Sequence, residues 1–89
     1  MESRVALIGI IVENGEAVDK VNAILHDYSS YILGRMGIPY RQRGISIISI
    51  AVDAPQDVIS TLSGKIGKLP GISAKTSYSN VMTVSETAN

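Results

Sequence analysis

Two stretches decide the fold, Val5–Val12 (VALIGIIV) and Ile45–Val52 (ISIISIAV). Both are rich in β-branched residues and apolar on both alternating sets of positions. In the first, Leu7 and Ile11 point one way while Ile8, Ile10 and Val12 point the other. Strands buried on both faces read this way. Val5 matches Ile45 and Val12 matches Val52, a constant offset of 40.

The repeat continues on the C-terminal side of each stretch. After the first, Glu13-Asn14-Gly15 supplies a turn, with Asn14 as N-cap and Glu16 suited to the first helical turn. Val18, Val21, Leu25 and Tyr28 then fall on one stripe of an amphipathic helix, with Asp19, Lys20 and Asp27 on its wet side. After the second stretch, Pro55 stands where a helix begins and its missing N–H costs nothing. Ile59, Leu62, Ile66 and Leu69 repeat the stripe. Gly67 is placed as a C-terminal cap, with Lys65 and Lys68 favouring the negative helix end. The offset between the helices is 41, from Val18 to Ile59, so one residue is inserted ahead of the second.

Each helix leads into a further strand. YILGRMG (31–37) reads as a short, Gly-punctuated strand, and GIPYRQRG (37–44) as the connector to the second decisive stretch. Pro70-Gly71 marks a turn, with Gly71 supplying a positive φ. In ISAKTSY (72–78), Ile72, Ala74, Thr76 and Tyr78 face one way and Ser73, Lys75 and Ser77 the other, the pattern of an edge strand with one dry face. Residues 80–89 are polar and without period and read as a frayed tail, so the single domain is set at 1–79. A βαβ unit used twice gives an α+β fold, the ferredoxin-like βαββαβ sandwich with a four-stranded antiparallel sheet and two helices on one face. Its strand order, 4-1-3-2, puts the two-sided stretches in the centre, where they belong.

The same topology leaves the second face of the sheet without helices, although the central strands offer it apolar side chains. A large open apolar patch is unusual on a soluble monomer. The expectation is a homo-oligomer, dimer or tetramer, that buries this face, a two-fold dimer being simplest.

Composition narrows the function. Eight Lys plus Arg balance eight Asp plus Glu, which disfavours direct nucleic-acid or anionic-membrane binding. With no Cys and one His there is no disulfide framework, thiolate nucleophile or Cys-based zinc site. The longest apolar run, Val5–Val12, is too short to span a membrane, and no signal peptide is recognisable, so a cytoplasmic protein without metal or other cofactor is expected. His26 reads as an exposed or capping residue. Glu13, Glu16, Asp53 and Asp57 lie at helix starts, where acids favour the dipole without catalytic duty.

One charge cluster stands out. No acid occurs between Asp27 and Asp53, yet three of the four arginines, Arg35, Arg41 and Arg43, lie there with Tyr31 and Tyr40. Guanidinium groups bind carboxylate and phosphate through two-point contacts and stack on aromatic rings. Two readings stay open: an anion or protein-partner site, or arginines that pair with the acidic first helix of a neighbouring subunit.

RVALIGIIVE, VNAILHDYS, GRMGIPYRQRG, ISIISIAVD and LSGKIGKLPGIS together resemble the small regulators of iron-only hydrogenase systems, over residues 4 to 78. GRMGxPYRxRG is the most specific segment. The resemblance implies a ferredoxin-like domain related to ACT-type ligand-sensing domains and to the C-terminal domain of nickel-responsive repressors, relatives that assemble through their sheets and bind effectors at subunit junctions. It implies that Arg35, Tyr40, Arg41 and Arg43 form the ligand- or partner-binding surface, with Gly34, Gly37 and Gly44 shaping its backbone. Nickel chemistry does not carry over, since those repressors use several His and a Cys. The expected function is thus a non-enzymatic, homo-oligomeric regulatory or sensor module acting on a small effector or a protein partner. The alternatives are a free-standing ACT-like sensor of amino acids or nucleotides and a small oligomeric enzyme with a site at a subunit junction.

Overall fold

The computed structural model describes residues 2–83. The elements run β1 (Ser3–Val12), α1 (Val18–Asp27), β2 (Ile32–Tyr40), β3 (Ile45–Ala54), α2 (Gln56–Gly67) and β4 (Ile72–Thr83). The sheet order is β2-β3-β1-β4 with every neighbouring pair antiparallel. This is the ferredoxin-like order read from the sequence.

Alternation sorts β1 and β3 into two faces. Ala6, Ile8, Ile10 and Val12 of β1 and Ile48, Ile50, Val52 and Ala54 of β3 are buried together with Val21 and Leu25 of α1 and Ile59, Leu62 and Ile66 of α2. Both helices therefore cover one face of the sheet. Burying a side chain of this kind contributes about 1.5–3 kcal/mol, so this layer is the main source of stability. No polar or charged residue is buried among those described. α2 packs closely on β4, β1 and β3, and α1 reaches β2 through the bond between Asn22 and Arg35.

The turns are built as the local chemistry requires. The Asn14 side-chain oxygen accepts from the Glu16 N–H at 3.0 Å, starting a 3₁₀ turn that feeds α1. Gly71 adopts φ 74°, and its carbonyl accepts from the Glu13 N–H at 2.7 Å. That bond ties the chain entering β4 to the chain leaving β1.

Four local expectations are corrected. β2 continues through Ile38, Pro39 and Tyr40, leaving only the 3₁₀ turn Arg41–Arg43 and Gly44 as connector; an edge strand accepts Pro39 because one side of its backbone needs no partner. Tyr31 belongs to a 3₁₀ turn, Ser29–Tyr31, ahead of that strand. Gly67 ends α2 without a left-handed cap: Lys68 is still right-handed, and the reversal comes at Gly71. β4 extends past residue 79 to Thr83, pairing Met82 with Arg4 and Thr83 with Ser3. A bulge sets Ser79, Asn80 and Val81 against Val5 alone, which hid the period of this segment. Residues 84–89 of the expected tail lie outside the described residues. Among the described residues, no helix is long and apolar enough to cross a membrane.

Candidate functional site

The uncovered face of the sheet is built from the odd positions of the central strands. Leu7, Gly9 and Ile11 of β1 stand beside Ala51, Ser49 and Ile47 of β3. Met36, Ile38 and Tyr40 of β2 stand beside Ser49, Ile47 and Ile45. Six of these side chains, Leu7, Ile11, Met36, Ile38, Tyr40 and Ile47, are large, apolar or aromatic, and exposed, Met36 to 61%. Leu33, the extra residue of a bulge in β2, is exposed to 64%. On β4 the same face carries Ser73, Lys75 and Ser77, a polar margin. Because Gly9 has no side chain, the face is dished there into a depression of about 300 Å³ whose lining includes Ile11, Ile47 and Lys75.

Arg35, Tyr40, Arg41 and Arg43 do not share one surface. Register places Tyr40 beside Ile45 on the uncovered face and Arg35 beside Ile50 on the helix-bearing face. Arg41 and Arg43 lie exposed at the hairpin tip. Tyr40 lies five positions beyond Arg35, an odd offset that puts them on opposite sides of any regular strand. Gly44 closes the tip with φ 66°. At Gly34 and Gly37 φ is not positive and an added Cβ would meet nothing within 4 Å, so the backbone there does not require glycine.

Among the described residues Arg35 has one hydrogen-bond partner, Asn22 of α1, whose Oδ1 accepts from Nη2 at 2.9 Å. Asn22 carried no signal in the sequence beyond its place on the flank of the α1 stripe. The two residues bridge a groove between α1 and β2. One end holds His26 and Ser29 in a cavity of about 320 Å³; the other is lined by Val18, Gly37, Pro39 and Ile48, about 240 Å³. Among the described residues no three His, Asp or Glu side chains gather as a metal site.

Residues 4–76 match the TM1266-like family, described as "Iron-only hydrogenase system regulator, putative". The chain belongs to this family. Among solved structures, this TM1266-like chain is similar to the uncharacterized protein TM1266 from Thermotoga maritima, at 36% identity and TM-score 0.83, covering 86% of this chain and 98% of that one. It is also similar to a formyltetrahydrofolate deformylase from Pseudomonas putida KT2440, at 14% identity and TM-score 0.64, covering 86% of this chain and 29% of that one. An unknown protein from Galdieria sulphuraria matches at 13% identity and TM-score 0.61, over 90% of this chain and 47% of that one. At such low identity the last two share the fold alone. No curated protein matches the chain. Membership of the TM1266-like family supports a regulatory role.

Proposed function

We propose that the chain is a cytoplasmic, non-enzymatic regulatory module of an iron-only hydrogenase system, working as a homo-oligomer and responding to a small effector or a protein partner. The observation that carries this reading is the uncovered face, with six large apolar or aromatic side chains in register across three strands. Such a patch is an assembly surface far more often than a solvated one. The occupant proposed for it is a second copy of this chain. Met36 and Ile38 stand exposed on the β2 side, and the depression at Gly9 lies toward β1 and β4. A two-fold axis would bury the same face of both subunits against each other. The polar positions of β4 would then form the rim.

The non-enzymatic part is supported by the family's description as a regulator and by a composition with no Cys and a single His. Light scattering at micromolar concentration tests the assembly: a dimer or larger species is expected, and a monomer rejects it. Deleting the gene in a host with an iron-only hydrogenase tests the regulation. Hydrogenase transcript or activity changes if the reading holds and stays level if it does not.

A further inference from the structure

We propose that the groove between α1 and β2 is the effector site, and that its ligand is a small organic monocarboxylic acid with an apolar body. This deepens the regulatory reading and rests on it for the word effector, while the binding chemistry stands on the groove itself.

The two adjoining cavities meet at Asn22 and Arg35, with volumes of about 320 and 240 Å³. Sites for small molecules are clefts of roughly this size, mostly apolar with a few convergent polar groups. The bond to Asn22 holds the Arg35 guanidinium. That bond uses one of five N–H donors, and no carboxylate pairs with Arg35 among the described residues. The remaining fork matches a carboxylate through two parallel bonds. His26 and Ser29 add donors at the same end.

The other end is mostly hydrocarbon, with Ser46 adding a hydroxyl to its lining. Val18, Pro39 and Ile48 line it, and Gly37 keeps it open. Neither its φ nor any neighbouring atom requires glycine at this position. A side chain on Gly37 would project into the groove, so the absent side chain is what leaves room for a ligand body.

Charge selects the ligand class further. No Asp or Glu lines either cavity. An amino acid would bring an ammonium group that meets no opposite charge there and lies near the Arg35 cation. One guanidinium also suits a single negative charge better than a phosphate dianion. The ligand is an acid without an amino group.

The test is an NMR titration of ¹⁵N-labelled full-length protein with 4-methylpentanoate, leucine, 4-methylpentanol and inorganic phosphate. Leucine adds only an ammonium to the first probe, and the alcohol removes only its carboxylate. Saturable shifts are expected at the amides of Asn22, His26, Arg35 and Gly37 with 4-methylpentanoate. The other three probes should bind at least about tenfold more weakly, the scale of losing one charge-assisted contact. Arg35→Gln should weaken the acid by a similar factor. Gly37→Val should abolish binding by filling the groove, with its thermal midpoint unchanged. Shifts that never saturate, equal binding of leucine, alcohol or phosphate, or full affinity in either variant would overturn the assignment. Asn22, His26, Arg35 and Gly37 lie on the helix-bearing side of the sheet, away from the uncovered face, although the apolar end of the groove also includes Ile38 and Ile47 in its lining. Lost binding in an intact oligomer therefore counts against the groove alone, and binding to a monomer counts against the assembly alone.

Discussion

Ile11 and Ile47 stand directly opposite each other in the β1–β3 ladder, on the face of the sheet that carries no helix. Both are partly exposed, Ile47 to 37%, and together they wall the depression at Gly9. Their neighbours one position along each strand, Ile10 and Ile48, are buried on the helix-bearing face. One sequence pattern thus serves two surfaces, a core and a candidate assembly face.

If the uncovered face joins two copies, a charge placed at its centre should separate them without unfolding either. Ile47→Glu and Ile11→Glu are expected to shift the protein from dimer or larger species to monomer in light scattering at micromolar concentration. Burying an unpaired carboxylate in a dry interface costs several kcal/mol, enough to move a dissociation constant by more than about a thousandfold. Far-ultraviolet circular dichroism should stay native, since the new side chains face solvent in the separated subunit. Variants that remain assembled would place the interface elsewhere.

Position 50 makes the complementary case. Ile50 is fully buried, one ladder position from the Ser49–Met36 pair and three from the Ile47–Ile38 pair, both of which face the other way. Ile50→Ala should destabilise by about 2–5 kcal/mol through lost transfer energy and a residual cavity. A chain of this length has on the order of 5–13 kcal/mol in total, so a large share of the stability goes. Urea unfolding checks this, with a lower midpoint and an unchanged slope expected. Ile47→Ala should instead leave the unfolding of an isolated subunit within about 1 kcal/mol and act on assembly.

Much of this architecture was legible because the strongest signals were periodic. The two-sided stretches at 5–12 and 45–52, the offset repeat and the two helical stripes fixed element types and strand order. Features set by a partner strand were not legible. Pro39 in β2 depends on that strand lying at the edge, and the run of β4 to Thr83 depends on a bulge opposite Val5. The candidate surface misled for a different reason. Arg35, Tyr40, Arg41 and Arg43 are neighbours in the chain, but strand alternation sends Arg35 to the helix-bearing side and Tyr40 to the other. Extending the strand through Tyr40 would have revealed this by parity alone. Asn22 could not have been found, because the bond to Arg35 is a tertiary contact between α1 and β2.

The two glycines with positive φ should respond unequally to alanine. At Gly44 an added Cβ meets nothing within 4 Å, so Gly44→Ala carries only the cost of a left-handed L-residue, about 1–2 kcal/mol. At Gly71 the added Cβ would lie 2.8 Å from the Asn14 Cβ. That overlap adds about 1–3 kcal/mol and strains the Glu13–Gly71 bond between the turns. Thermal midpoints should fall by about 5–10 °C for Gly44→Ala and about 15 °C or more for Gly71→Ala. Equal losses would show that the turn opens freely to accept the methyl group.

Arg41 and Arg43 remain as the exposed charges of the hairpin tip, held in a single 3₁₀ turn that Gly44 closes by donating to the Arg41 carbonyl at 3.1 Å. No acid lies between Asp27 and Asp53 in the chain, and among the described residues no carboxylate pairs with either arginine. Replacing both by Ala should change stability by no more than about 0.5 kcal/mol, the usual range for exposed positions away from caps and cores. Assembly should also be unchanged in light scattering, because the tip lies beyond the apolar positions of the uncovered face. In a host lacking its own copy, the double variant should fail to restore hydrogenase regulation, as expected of two cations that dock an acidic partner. Loss of assembly would instead identify the arginines as pairing groups between subunits, and the acidic residues of α1, Asp19 and Asp27, as their first candidate partners.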